Sequence, residues 1–196
     1  MIKAFRADDR LIHGQVQTQW IAYHGANRVI IIDSKVAKDP INVQILKLAK
    51  PVGIDLVICG KENAMSLIAK DAAQANARSF VIFKTLETAW HMKQKGLEIP
   101  GVVVGPCSAK TGAVQICKNT YFTPSEIEAA KELTAAGTQV VFQLLPSEPK
   151  VLWSDIRLYW FHSFLPRRKR PGARRSSGAE RGNKRQNTNL KKWEEL

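Results

Sequence analysis

The stretch Arg28-Val29-Ile30-Ile31-Ile32-Asp33 decides the fold class of this chain. Its four central residues are all apolar and β-branched, a pattern typical of a strand that is buried on both faces. Val102-Val103-Val104 repeats the pattern further along the chain. Strands of this kind occur in parallel sheets that are covered by helices, so the sequence predicts such a sheet.

Short apolar runs of this type alternate with longer amphipathic stretches. Strands are predicted at Ile2–Arg6, Arg28–Asp33, Asp55–Cys59, Phe80–Lys84, Val102–Gly105, Val114–Cys117 and Thr138–Gln143. Helices are predicted at Gln15–Tyr23, Pro40–Ala49, Glu62–Ala73, Thr85–Lys95 and Pro124–Ala136. Two of these helices begin with a capping residue followed by proline, at Asp39-Pro40 and Thr123-Pro124. The alternation predicts an α/β fold with an open, mainly parallel sheet and helices on both faces.

Charge is distributed unevenly along the 196 residues. Residues 157–196 hold 12 of the 30 Lys and Arg residues but 3 of the 17 Asp and Glu residues, a net charge of +9 out of +13. Hydrophobic residues make up 44% of the chain, which excludes whole-chain disorder. The sequence therefore predicts a single domain over residues 1–156 and a basic, disordered tail over residues 157–196.

The same composition excludes several classes of protein. Cys59, Cys107 and Cys117 are too scattered for a disulfide framework or a common zinc pattern, so we expect free thiols and no metal site. The N-terminus reaches Asp8 too early for a signal peptide, and no apolar run approaches the ~20 residues that cross a bilayer. These observations predict a cytoplasmic protein.

The predicted loop after the first strand reads Asp8-Asp9-Arg10-Leu11-Ile12-His13-Gly14-Gln15-Val16. It places His13 at the carboxyl end of a strand, where open α/β sheets bind their ligands. The helix that follows offers unpaired N–H groups to an anion such as phosphate, and Gly14 allows a close approach of the backbone. Histidine suits phosphoryl transfer near neutral pH, but a histidine at a strand end is also commonly structural. The residues alone leave both interpretations open.

Followed by Trp20, these nine residues resemble the signature of the IIB components of the mannose/fructose/sorbose family of the bacterial phosphoenolpyruvate:sugar phosphotransferase system. The similarity covers residues 1–156 and includes three further segments: Val36-Ala37-Lys38-Asp39-Pro40, Phe83-Lys84-Thr85 and Pro146-Ser147-Glu148-Pro149.

The resemblance implies that His13 is phosphorylated, in an enzyme of the protein-N(pi)-phosphohistidine–sugar phosphotransferase class. It implies that His13 takes the phosphoryl group from a histidine of a IIA protein or domain. His13 would then pass the group to a sugar that enters through the IIC and IID membrane subunits. Such a protein needs no metal or organic cofactor, and IIC and IID would hold it at the inner face of the membrane. No specific nucleic-acid partner is expected.

Residues around His13 have expected roles in that chemistry. Arg10 would hold phosphoryl oxygens with its planar guanidinium. Asp8 would orient the imidazole or Arg10, although a turn or capping role fits this residue equally well. Further candidates for the phosphate pocket are Gly14, Gln15, Lys84 and Thr85. Helix capping is an open alternative for Thr85.

The basic tail has two explanations. Nothing in residues 157–196 resembles the family, so the tail could be the product of a frameshift or rearrangement at the 3′ end of the gene. Alternatively, it is a basic arm, and the protein is a nucleic-acid or anionic-membrane binding module. We favour the first explanation, because the run lacks amphipathic order.

Overall fold

The computed structural model of this protein describes residues 1–156, without the side chain of Gln17. The predicted disorder of residues 157–196 lies outside the described residues. Met1–Ile156 forms one compact unit. Its strands are β1 (Ile2–Ala7), β2 (Arg28–Ile32), β3 (Asp55–Cys59), β4 (Ser79–Phe83), β5 (Gly101–Val104), β6 (Val114–Cys117), β7 (Thr120–Phe122), β8 (Gln139–Phe142) and β9 (Val151–Leu152). Its α-helices are α1 (Ile21–Tyr23), α2 (Ser34–Ala37), α3 (Pro40–Ala49), α4 (Ala64–Ala72), α5 (Leu86–Gln94) and α6 (Pro124–Ala135).

Seven strands form one open sheet in the order β3-β2-β4-β1-β5-β8-β9. All neighbours in it are parallel except β8 and β9, which are antiparallel. The first strand of the chain therefore lies at the centre of the sheet. The predicted α/β fold with an open, mainly parallel sheet is confirmed.

Both faces of the sheet are buried, as the continuous apolar strands require. Val29 and Ile31 pack with Trp20 and Leu46 in a core of helical and strand residues. Because alternate residues of a strand point to opposite faces, Ile30 faces the other side of the sheet. It is also 0% exposed, so helices cover this second face as well.

The segment Gln15–Tyr23 is helical as predicted, but its middle is not an α-helix. Val16–Trp20 forms a π-helical stretch that leads directly into α1. The hydroxyl of Thr18 donates to the carbonyl oxygen of Gly14 at 2.7 Å. The same type of bond, from the hydroxyl of Thr134 to the carbonyl oxygen of Ala130, occurs in the regular helix α6, so it does not by itself produce the π-helical geometry.

Among the strands and α-helices, three short elements were not predicted, and one predicted strand lies outside the sheet; Trp153–Asp155 also forms a short 3-10 helix after β9. β6 pairs with the unpredicted β7 in a separate antiparallel hairpin, whose turn needs a positive φ of 63° at Asn119. α2 and β9 are the other two, and they have four and two residues. Elements this short carry no hydrophobic period that a sequence reveals.

Helix caps follow the predicted chemistry. The carboxylate of Asp39 accepts the backbone N–H groups of Ile41 and Asn42 at the start of α3. Thr123 and Glu126 form a reciprocal capping box at the start of α6. Within residues 1–156, no helix has the length and apolar character needed to span a membrane.

Candidate active site

The loop that carries the motif begins at the carboxyl end of the central strand. β1 ends at Ala7, whose carbonyl accepts the N–H of Gly105 at 2.8 Å. Asp8 donates its N–H to the carbonyl of Phe83 at 3.0 Å. The ends of β5 and β4 therefore flank the loop on its two sides. The connection after β1 runs to β2 on one side of the sheet, whereas the connection after β5 runs to β8 on the other side. Open sheets bind their ligands in the crevice that forms where connections diverge in this way.

A tight turn brings Arg10 and His13 together. Leu11 donates its N–H to the carbonyl of Asp8 at 3.1 Å, and Arg10 donates its N–H to Asp8 Oδ1 at the same distance. Leu11 has a φ of 57°, in the left-handed region that a branched side chain rarely adopts. Its side chain and that of Ile12 are each only 5% exposed, so burial in the core holds the strained turn in place.

The imidazole of His13 is held at both nitrogens. Nε2 lies 3.0 Å from Arg10 Nη2, and Nδ1 lies 3.1 Å from the carbonyl oxygen of Leu11. A guanidinium only donates and a carbonyl only accepts, so Nε2 carries the lone pair and Nδ1 the proton. Asp8 Oδ1 lies 3.9 Å from Nδ1, which also favours a proton there. The side chain is 16% exposed, so the ring is accessible from one side.

A buried ion pair lies beneath this turn. Arg6 donates from Nε and Nη2 to Asp8 Oδ2 at 3.1 and 3.0 Å, and both side chains are fully buried. Burial raises the pKa of Asp8 and lowers that of Arg6, and their mutual attraction opposes both shifts. The ring of Trp20 lies 4.7 Å from the centre of the Arg6 guanidinium. The indole N–H of Trp20 donates to the carbonyl oxygen of Leu144 at 3.0 Å.

Arg6 is not among the predicted site residues, although the sequence contains a signal for it. Arg6 stands between Phe5 and Ala7 in the strand, and residues two apart in a strand point to the same face. Arg6 and Asp8 are such a pair of opposite charges. A charged residue in a central strand needs a partner, because an unpaired buried charge is very costly.

Gly105 is a second site residue that the sequence did not single out. A Cβ atom at this position would collide with Arg6 Nη2 and Asp8 Oδ2, and it would lie 2.8 Å from Arg6 Cζ. Only glycine leaves room for the ion pair at the end of β5. By contrast, a Cβ at Gly14 would meet no atom within 4 Å, so the fold itself does not require a glycine there.

The other predicted pocket residues are not among the described hydrogen-bond or ion-pair partners of the His13 ring. Thr85 accepts the N–H of Thr88 as the cap of α5, which is the alternative that the sequence left open. Lys84 is half-buried and follows β4, but its side chain makes no hydrogen bond or ion pair with the residues that the structure describes. Gln15 is also half-buried, and its Oε1 has no hydrogen-bond partner within residues 1–156.

The loop after β5 closes the site on a further side. Asp9 Oδ2 accepts the N–H of Ser108 at 2.7 Å, which ties the motif to this loop. Lys110 binds Glu126 Oε1 at 2.8 Å and so joins the same loop to the start of α6. The two contacts restrain the Asp8–His13 loop from the β5 side.

Comparisons with known proteins show the family of this chain. The family model described as "PTS system sorbose subfamily IIB component" matches residues 2–162. The chain is 31% identical over 156 residues to the "PTS system sorbose-specific EIIB component" of Lacticaseibacillus casei, covering 80% of this chain and 93% of that protein. It is 27% identical over 151 residues to the "PTS system mannose-specific EIIAB component" of Escherichia coli strain K12, covering 77% of this chain and 46% of that protein.

A solved structure shows the same fold. The IIBSor domain of the sorbose permease from Klebsiella pneumoniae superposes with a TM-score of 0.76 at 28% sequence identity. The match covers 81% of this chain and 97% of that domain.

Proposed function

This chain belongs to the sorbose subfamily of phosphotransferase-system IIB components, and we propose that it carries the phosphoryl group on His13. Members of the family are phosphocarrier subunits of sugar phosphotransferase systems, and they work with IIA and IIC/IID subunits and a sugar. The observation that carries the proposal is the contact between Arg10 Nη2 and His13 Nε2, 3.0 Å apart at the carboxyl edge of the central strand. That edge is where this type of sheet binds its ligands.

The local chemistry suits transfer between two histidines. The P–N bond to the donor imidazole breaks as a P–N bond to His13 forms, and the accepting ring carries its proton on the nitrogen that does not bind phosphorus. The transition state is loose and highly charged, so positioning and charge stabilisation matter more than acid or base strength. The planar guanidinium of Arg10 is exposed and already contacts the imidazole. Its remaining N–H groups can therefore bind phosphoryl oxygens. Asp8 contributes by holding the N–H of Arg10.

The choice of ring nitrogen determines what must move. The N(pi) position, which the enzyme class names, is Nδ1, and in this conformation Nδ1 bonds the Leu11 carbonyl. Transfer through Nδ1 therefore requires rotation of the ring about Cβ–Cγ, away from that carbonyl, and a shift of the proton to Nε2. We propose that this rotation accompanies phosphorylation and that Arg10 moves from Nε2 to the phosphoryl oxygens.

The partners and the location follow from the family. We propose a IIA protein or domain as the donor and a sugar imported through IIC and IID as the final acceptor. The mannose-specific relative is named an EIIAB component, which supports a IIA donor. The two relatives carry different sugar names, so the proposal names the sugar only as a class. The protein would reside in the cytoplasm, at the inner face of the membrane. No metal or organic cofactor takes part in the proposed steps.

The alternative of a nucleic-acid or anionic-membrane binding module receives no support from these comparisons. The relatives named above are sugar phosphotransferase components, and the tail on which the alternative depends lies outside the part of the chain that the structure describes. We propose that residues 1–156 are the functional domain. A chain truncated after Ile156 should then keep phosphoryl transfer and lose any salt-sensitive binding to polyanions.

Phosphate labelling tests the proposed function. The full chain is incubated with phosphoenolpyruvate, the general phosphotransferase proteins and a cognate IIA, and we expect acid-labile, base-stable phosphate on it. His13→Ala should abolish the label. His91→Ala is the matched control, because His91 lies in the last turn of α5, and it should label at the wild-type level. Label that persists in His13→Ala would refute the assignment.

A further inference from the structure

Arg6 contacts three parts of the chain: the motif, the helical segment after it, and a loop 137 residues away in sequence. Besides the two contacts with Asp8 Oδ2, its Nη1 lies 3.4 Å from the carbonyl oxygen of Gln143, in the loop after β8. Its guanidinium also stacks on Trp20, within the helical segment that follows the motif. Arg6 is 0% exposed and therefore cannot itself touch a phosphoryl group or a partner protein. Any contribution to transfer must act through the residues it holds.

The carboxylate of Asp8 divides its two oxygens between two tasks. Oδ2 receives both donors of Arg6, and Oδ1 receives the N–H of Arg10 and faces His13 Nδ1 at 3.9 Å. Because a carboxylate is planar, fixing Oδ2 also fixes the direction of Oδ1. We propose that Arg6 is a positioning residue for phosphoryl transfer at His13, which fixes Asp8 and so holds the turn that brings Arg10 to the imidazole. This inference rests on the proposed function of His13.

Removal of Arg6 should change the charge of the site as well as its geometry. Burial raises the pKa of Asp8, and Arg6 is the main group that opposes this shift. Without Arg6, the buried carboxylate takes up a proton more readily and loses its charge. A neutral Asp8 no longer favours the proton on Nδ1 of the nearby imidazole. The ring should then populate both neutral tautomers, rather than the single one that the Leu11 and Arg10 contacts select.

The test compares three full-length variants. Arg6→Met removes the charge at similar volume. Arg6→Lys keeps the charge, but its single nitrogen cannot replace the two that reach Asp8 Oδ2 and the third that reaches the Gln143 carbonyl. Arg28→Met is the matched control. Arg28 begins β2 at the opposite edge of the sheet and bonds the buried Asp71 Oδ1 at 2.7 Å. Replacement of Arg28 also removes a charged partner from a buried carboxylate, that of Asp71, but it does so at the end of the sheet opposite to His13.

Two measurements are made at a temperature where every variant compared is folded. The first is the rate of phosphoryl exchange with a phosphorylated IIA, and the second is nitrogen NMR of the His13 ring. We expect Arg6→Met to slow exchange by about tenfold or more, and Arg6→Lys to slow it less. The two ring nitrogens should move toward averaged shifts in Arg6→Met, and by a smaller amount in Arg6→Lys, which keeps the charge beside Asp8 but holds its carboxylate less firmly. Arg28→Met should melt earlier but exchange at the wild-type rate with unchanged shifts.

Several outcomes would overturn the inference. One is an Arg6→Lys protein with wild-type exchange and wild-type ring shifts, and this variant decides the matter if Arg6→Met does not fold. Another is an Arg28→Met protein that slows as much as Arg6→Met, because the loss would then follow stability alone. Failure of the proposed function gives a different result, in which the wild-type chain takes no label on His13. The tautomer comparison would still report whether Arg6 holds the turn.

Discussion

Replacement of Gly105 with alanine should weaken both the fold and phosphoryl transfer, although the backbone there is compatible with alanine. The new methyl group would collide with Arg6 Nη2 and Asp8 Oδ2. Neither atom can retreat easily, because the two side chains are bonded to each other and fully buried. Trp20 stacks on the guanidinium and restricts it further. The methyl group can therefore be accommodated only if the ion pair or the end of β5 moves.

The size of the effect follows from overpacking. Insertion of a methyl group into a filled core costs about 1–3 kcal/mol. In a domain of this size each kcal/mol lowers the melting temperature by about 2–4 °C, so the expected loss is about 2–12 °C. If the ion pair separates, the cost rises to about 3–5 kcal/mol, because a buried charge loses its partner. Movement of Asp8 also displaces the N–H of Arg10, so transfer should slow even at temperatures where the variant is folded.

Thermal melts and the rate of phosphoryl exchange with IIA test this prediction together. Gly101→Ala is the matched control on the same strand, since a Cβ there would lie 3.5 Å from the carbonyl oxygen of Gln139, an ordinary contact. Alanine restricts the unfolded chain, so this control should gain about 0.4–1 kcal/mol or stay unchanged. A Gly105→Ala protein that melts with the control and exchanges at the wild-type rate would show that the space around the ion pair is not limiting.

Arg10→Lys should slow exchange about 10- to 100-fold, because lysine loses the planar fork that holds phosphoryl oxygens, and its thermal melt should match the wild type because Arg10 is exposed. Exchange at the wild-type rate would remove Arg10 from the site. The backbone N–H and the side-chain amide of Asn42 lower the pKa of Asp39. The stabilisation of α3 by this cap is therefore fully present above the unfolded pKa of about 3.9, and it is lost as the pH falls through the lower pKa of the folded state. The free energy of unfolding, measured with urea, should fall less for Asp39→Asn than for the wild type as the pH is lowered across that range. Equal decreases would contradict a contribution of the Asp39 carboxylate to the pH dependence of stability.

The regular part of the fold could be predicted because its elements are long and carry clear periods. β3, β6 and α3 have the predicted bounds, and other predicted elements shift by one or two residues at their ends. The π-helical stretch could not be predicted, since no residue type or spacing in Gln15–Tyr23 distinguishes it from an α-helix. β9 could not be predicted either, because two residues form a strand only when a neighbour such as β8 is already present.

The predicted residues that the structure brings together around His13 all lie within one motif, and they include the buried Asp8. His13 and Arg10 stand in one motif, and the structure places them in contact. The contacts of Arg6 and Gly105 beneath them could not be predicted, because they depend on which strands are neighbours in the sheet. Gly105 is 99 residues from Arg6, and nothing local marks it as the residue that makes room for the ion pair. The contact of Arg6 with the Gln143 carbonyl depends on the same long-range assembly.

The position of β1 has a consequence for synthesis on the ribosome. β1 is first in the chain but fourth in the sheet, and its neighbours β4 and β5 end at Phe83 and Val104. Translation releases the chain from its N-terminus, so the motif emerges long before either neighbour exists. The carbonyl of Gln143 that Arg6 contacts emerges later still. A nascent chain that ends before Ser79 thus contains the whole motif but neither of the strands, β4 and β5, that flank β1 in the sheet. The full set of Arg6 contacts can form only once the chain has been made through Gln143.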